Sequence, residues 1–139
     1  LCIGPGEHGS TFGGNLLACA LGIEALQIIS DEHLAENSFT MGNYFRGLLQ
    51  SLKFGFIREI RGKGLLNAVE MDENIGKNNL TAFDLCLVLK KNGVLAKPTR
   101  NNIIRFAPPL TISKEQIDSA FAVIEKSMKE FSQLASYEK

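Results

Sequence analysis

Residues 6–15 read GEHGSTFGGN. Four glycines, two adjacent hydroxyl residues and one histidine stand directly ahead of a long apolar run. Glycine permits turns and close backbone approaches that other residues resist. Ser10 and Thr11 add hydroxyl donors, and Asn15 is a good N-cap for a helix over 16–29. The amides that open such a helix carry partial positive charge. The combination suits a phosphate. A tight loop that only packs against a neighbour is the other reading of the same residues. No GxxxxGK[ST] is present to decide between them.

The run that follows predicts a helix that is apolar nearly all round, with Leu17, Ala18, Ala20, Leu21, Ala25, Leu26, Ile28 and Ile29. Such a helix is usually buried on most sides, so another domain or subunit is expected to cover it. It contains Glu24 and Gln27 and is shorter than the roughly 20 residues that span a bilayer. Asp31 and Glu32 are expected to open a second helix, to about Leu52, with Leu34, Met41, Phe45, Leu48, Leu49 and Leu52 as its apolar stripe. Residues 56–61 alternate imperfectly, with Ile57 and Glu59 on one face. They read as a strand joined to a second strand, 65–71, by the turn Arg61-Gly62-Lys63-Gly64. After a polar loop at 72–79, Thr81 caps a helix that Asn92-Gly93 stops after Lys91.

Short strands are expected at 94–97 and 102–106, joined through Pro98-Thr99-Arg100-Asn101. Ser113 and Gln116 then fit a capping box, and Ile112 and Ile117 the accompanying hydrophobic staple. The helix they start carries Ile117, Ala120, Phe121, Ile124, Met128 and Phe131 along one face, and the polar tail after Leu134 is expected to fray. This order predicts an α+β or two-layer α/β domain with a mixed sheet covered by helices.

The 139 residues suffice for one domain with a real core. Lys plus Arg equals Asp plus Glu, 15 each, so the balance gives no sign of a nucleic-acid footprint or a polybasic membrane anchor. Cys2, Cys19 and Cys86 are far apart, in or beside apolar runs, and form no CxxC or Cys/His spacing. That argues against a metal site and for a reducing compartment. The chain opens at Leu1 without a signal-peptide layout, and we expect it to be a piece whose N-terminal part lies elsewhere.

Arg105 lies in the strand Asn102-Ile103-Ile104-Arg105-Phe106, framed by apolar residues. A guanidinium is costly to bury without an anionic partner, and its planar fork suits a carboxylate. A substrate clamp and a structural arginine paired with an internal acid are both open on this evidence. Arg61 and Lys63 read as solvated turn charges. His8 has no acid to orient it, and His33 is expected in the exposed first turn of the second helix. Cys19 and Cys86 read as core residues without the basic neighbours that activate a thiol.

GEHGSTFGGN with LLACALGIEAL resembles the class III pyridoxal-phosphate (PLP) aminotransferases. RGKGLLNAVE, NGVLAKPT and IIRFAPPLTI, in that order, are similar to the ornithine aminotransferases within that family. The resemblance runs from Leu1 to about Ile124. It implies the C-terminal part of a PLP-dependent transferase of fold type I. Residues 1–30 would end the large PLP-binding domain and 31–139 would form the small domain. It implies a homodimer in which Ser10 and Thr11 bind the phosphate of PLP in the partner's site. Arg105 is implied as the clamp for the substrate carboxylate, with ornithine as amino donor and 2-oxoglutarate as acceptor. The lysine that holds PLP covalently, and the acid at its ring nitrogen, would lie upstream. Lys53, Lys63, Lys90, Lys91 and Lys97 stand in no matching context, so no catalytic residue is assigned here and the chain alone is not expected to transaminate. Mitochondrial matrix or cytoplasm would be the location. Leu16 departs from the family, where proline commonly follows GGN; leucine keeps the helix. An acetylornithine or other ω-amino-acid aminotransferase, or a non-catalytic interaction module, are the alternatives.

Overall fold

The computed structural model describes residues 3–135 in two compact units, Leu1–Leu34 and Ala35–Lys139. The polar tail expected to fray lies, from residue 136 on, outside the described residues.

In the first unit the glycine-rich loop leads into α1, Leu16–Asp31. Asn15 caps it as expected: its Oδ1 accepts from the Ala18 N–H at 3.0 Å. Asp31 and Glu32 close this helix instead of opening the next, Asp31 as its last residue and Glu32 as its C-cap. His33 follows with φ 50, and that left-handed step ends the hydrogen-bond ladder. Ser30 and Asp31 are weak helix breakers by comparison, so the helix runs through them. No residue of α1 is buried in this chain, and Leu16, Leu17, Leu21 and Leu26 are all exposed.

The next helix, α2, spans Leu34–Ser51. It is followed by β1 (Ile57–Lys63), β2 (Leu66–Met71), α3 (Ala82–Lys91), β3 (Lys97–Thr99), β4 (Ile103–Phe106) and α4 (Lys114–Leu134). The sheet order is β1-β2-β4-β3, and every pairing is antiparallel. The expected mixed sheet is therefore corrected. The β2–α3–β3 crossover does join two strands of like direction, but β4 folds back between them. A potential parallel pair becomes two antiparallel ones.

Two local features shift the expected strands. Arg58 is an extra residue in β1, because the pairing jumps from Ile57↔Met71 to Glu59↔Glu70. This bulge turns Ile57 and Ile60 to one face and Glu59 and Arg61 to the other, which explains the imperfect alternation. β3 includes Pro98 instead of ending before it. Proline lacks the N–H a central strand needs, and β3 is the sheet edge, where that donor is not missed.

Caps fix the helices. Asp84 accepts from the Thr81 N–H at 2.8 Å to start α3. Gly93, at φ 100, ends it, with Gly93 N–H bonded to Lys90 O and Val94 N–H to Leu89 O, a Schellman closure. Ser113 Oγ accepts from Gln116 N–H and Gln116 Oε1 accepts from Ser113 N–H, so the capping box forms as read. The core joins α2, α3 and α4 to one face of the sheet through Leu49, Leu85, Leu89, Val69, Met71, Ile104, Met128 and others. Phe56 stands at its centre, stacked on Phe54 at 5.4 Å and edge-on to Phe131 at 5.3 Å. Each such buried side chain stabilises the fold by about 1.5–3 kcal/mol relative to exposure.

Candidate functional site

The loop of the first unit exposes both of its hydroxyls, on Ser10 and Thr11. Gly6 and Gly14 have φ of 85 and 77, conformations that disfavour any side chain. A Cβ on Gly13 would come 3.1 Å from Ser10 Cβ, so glycine there leaves the serine its place. No acidic residue occupies the first turn of α1, which keeps its positive end uncompensated. The chemistry of this set fits a phosphate. His8 is exposed in the same loop. The carboxylate beside it, on Glu7, is turned back to accept from the Gly4 N–H at 2.6 Å, so it does not orient the imidazole.

The second candidate lies on the face of the sheet that carries no helix-packed core. In β2 and β4, Val69, Met71, Ile104 and Phe106 are buried while Ala68, Glu70 and Arg105 alternate with them on the opposite face. Strand register then lines up Arg61, Ala68, Arg105 and Lys97 as one row across all four strands. Glu59, Glu70, Ile103 and Thr99 form the next row. A groove of about 470 Å³ opens over this face, lined by Arg61, Lys63, Ala68, Thr99, Arg100 and Arg105 among others. Ala68 has the smallest side chain of its row and leaves room between two guanidinium groups.

The charges there are unevenly matched. Arg61 Nη1 donates to Glu70 Oε2 at 2.6 Å and to Glu59 Oε2 at 2.9 Å. The bond to Glu70 is the main reason its guanidinium is held above the ordinary arginine value. Both acids of this face are thus taken up by Arg61. Arg105 is exposed, not buried as its apolar neighbours suggested, and has no acidic partner among the described residues. An internal acid for Arg105 is therefore not found among the described residues.

The RGKG segment also differs from its reading as a turn. β1 continues through Lys63, which pairs with Leu66, so the turn is Gly64-Leu65, with Gly64 at φ 54. Arg61 is a strand residue facing the groove. Lys97 was legible only as a surface lysine, because the reading ended its strand before Pro98. Among the remaining lysines, Lys53 follows α2 and Lys90 and Lys91 end α3.

Residues 2–128 match the class-III aminotransferase family. The chain belongs to that family. It is 51% identical over 123 residues to the mitochondrial ornithine aminotransferase of Oryza sativa subsp. japonica, covering 86% of this chain and 26% of that protein. Among solved structures, the ornithine aminotransferase of Toxoplasma gondii, with partial occupancy of PLP at its active site, superimposes with a TM-score of 0.84 at 44% identity. That match covers 96% of this chain and 31% of the other. The acetylornithine aminotransferase of Elizabethkingia anophelis gives a TM-score of 0.81 at 50% identity, covering 93% and 34%. The chain thus spans about a third or less of the aminotransferases it matches. Among the described residues no helix is long and apolar enough to cross a membrane.

Proposed function

We propose that this class-III aminotransferase chain is the C-terminal part of an ornithine δ-aminotransferase. The whole protein would move the δ-amino group of ornithine to a 2-oxo acid, typically 2-oxoglutarate, leaving glutamate semialdehyde. The observation that carries the substrate side is Arg105: an exposed guanidinium over a groove on a sheet face where Glu59 and Glu70 are already bound to another arginine. A planar fork without a partner suits a bidentate hold on the carboxylate of an amino acid. Holding that end fixes which amine reaches the reacting centre, and such orientation supplies several kcal/mol of a barrier.

Ser10 and Thr11 would hold the phosphate of PLP, with the amides that open α1 adding positive potential. PLP, when bound, supplies the electron-poor ring that carries the amine between donor and acceptor. By the resemblance, these two residues serve the partner's site in a homodimer, and residues 1–30 close the large domain while 31–139 form the small one. The exposed apolar surface of α1 is consistent with cover from the rest of such an assembly. The matrix of mitochondria or the cytoplasm would be its location.

The full-length protein tests this. It should retain PLP, seen by visible absorbance, and convert ornithine with 2-oxoglutarate. Arg105→Ala should raise the KM for ornithine strongly while PLP stays bound. Failure to bind PLP removes the enzyme reading, and unchanged ornithine kinetics remove Arg105 from the substrate site. The match to an acetylornithine aminotransferase favours one rival donor. A higher kcat/KM for N-acetylornithine than for ornithine would decide for it.

A further inference from the structure

Lys97 stands directly opposite Arg105 in the β3–β4 register. Both residues are exposed on the groove face, and neither has an acidic partner among the described residues. Pro98, next in β3, pairs with Ile104 and is half-buried on the opposite face, which holds Lys97 on the groove side. Directly paired Cα atoms in an antiparallel sheet lie about 4.5–5.5 Å apart, close enough for both side chains to reach one group. Like charges in that position are destabilising unless something anionic joins them. Glu59 and Glu70, the acids of this face, bond Arg61 on the far side of Ala68, and neither bonds Lys97 or Arg105.

We infer that Lys97 is the second cation for the carboxylate that Arg105 grips, and so a positioning residue for carboxylate-bearing substrates. This rests on the reading of the groove given above. Arg105 would take both carboxylate oxygens through its fork, and the ammonium of Lys97 would donate to a remaining lone pair. Two cations from adjacent strands fix the direction of the carboxylate, where one alone would leave it free to pivot about the fork.

The experiment uses the full-length, PLP-loaded protein and its Lys97→Met, Lys97→Arg and Arg105→Gln variants. Glutarate, a dicarboxylate without an amine, is titrated by calorimetry, and ornithine kinetics are measured beside it. Lys97→Met should weaken glutarate about tenfold, as loss of a charge-assisted bond does, and raise the KM for ornithine with kcat within about twofold. Lys97→Arg should restore binding to within about threefold of the parent. PLP retention should not change in any variant. Glutarate binding unaffected by Lys97→Met, while Arg105→Gln weakens it, overturns the role of Lys97 and leaves the groove reading standing. If Arg105→Gln has no effect either, the groove is not the carboxylate site and both fall.

Discussion

Gly42 of α2 lies against Gly64 at the tip of the β1–β2 hairpin so closely that a Cβ on Gly42 would fall 1.9 Å from the Gly64 carbonyl oxygen. Five residues further along the same helix, Gly47 has nothing within 4 Å of such an atom. The two glycines therefore separate packing from helix propensity. Gly42→Ala should destabilise the protein by about 1–3 kcal/mol through overpacking. Gly47→Ala should stabilise it by about 0.5–1 kcal/mol, the ordinary helical gain. Urea unfolding of the two variants checks this, and equal shifts would contradict the close approach.

The same hairpin tip is tied by a buried amide. Asn67 is 1% exposed; its Oδ1 accepts from Arg46 Nη1, and its Nδ2 donates to Gly64 O at 3.3 Å. Arg46→Met should leave that oxygen without its donor and cost about 1–3 kcal/mol. The urea midpoint should fall with the slope unchanged.

Tyr44 and Lys114 both donate to the Asp118 carboxylate. The tyrosine hydroxyl is the larger cause of its depressed pKa and the lysine the second. A folded pKa below the unfolded one means stability that is present above the unfolded value of about 4 and is lost as pH falls through the folded value. Tyr44→Phe should raise the Asp118 pKa toward its ordinary value, read by carboxyl-carbon NMR. The stability gap between variant and parent should narrow as the solution is acidified below about pH 4.

Burial pushes the Cys86 thiol up to about 11. At pH 8 it is almost wholly protonated and closed to reagents. Iodoacetamide should leave Cys86 unmodified in the folded protein and label it after denaturation, by site-resolved mass spectrometry. Labelling at similar rates in both states would show that the site opens readily.

For the loop, Thr11→Ala should weaken PLP retention in the full-length protein. In mixed dimers of parent and variant subunits of different mass, PLP fixed by borohydride reduction and located by mass spectrometry should be depleted on the subunit whose partner carries the change. A loss confined to the variant's own site would refute the sharing of the loop across the interface.

Much of this was legible in local chemistry. The Asn15 cap, the Ser113–Gln116 box and the stop at Asn92-Gly93 all formed where they were read, and the β1–β2 hairpin formed with its turn moved to Gly64-Leu65. Each depends on residues within a few positions of one another. The pattern failed where one residue's backbone outweighed it: His33 at positive φ moved the start of α2, and the Arg58 bulge put Ile57 and Glu59 on opposite faces of β1.

By itself the sequence determined the caps, the apolar faces, the family blocks and the two chemically unusual residue sets, Ser10 with Thr11 and Arg105. The tertiary structure alone decided that the sheet is antiparallel throughout, that Arg61 consumes both neighbouring acids, and that Lys97 faces Arg105. The division has a physical cause. Capping and amphipathicity act over one or two turns of chain, whereas strand order and register are fixed by which strand slides between which. Residues distant in sequence become lateral neighbours only after that choice is made.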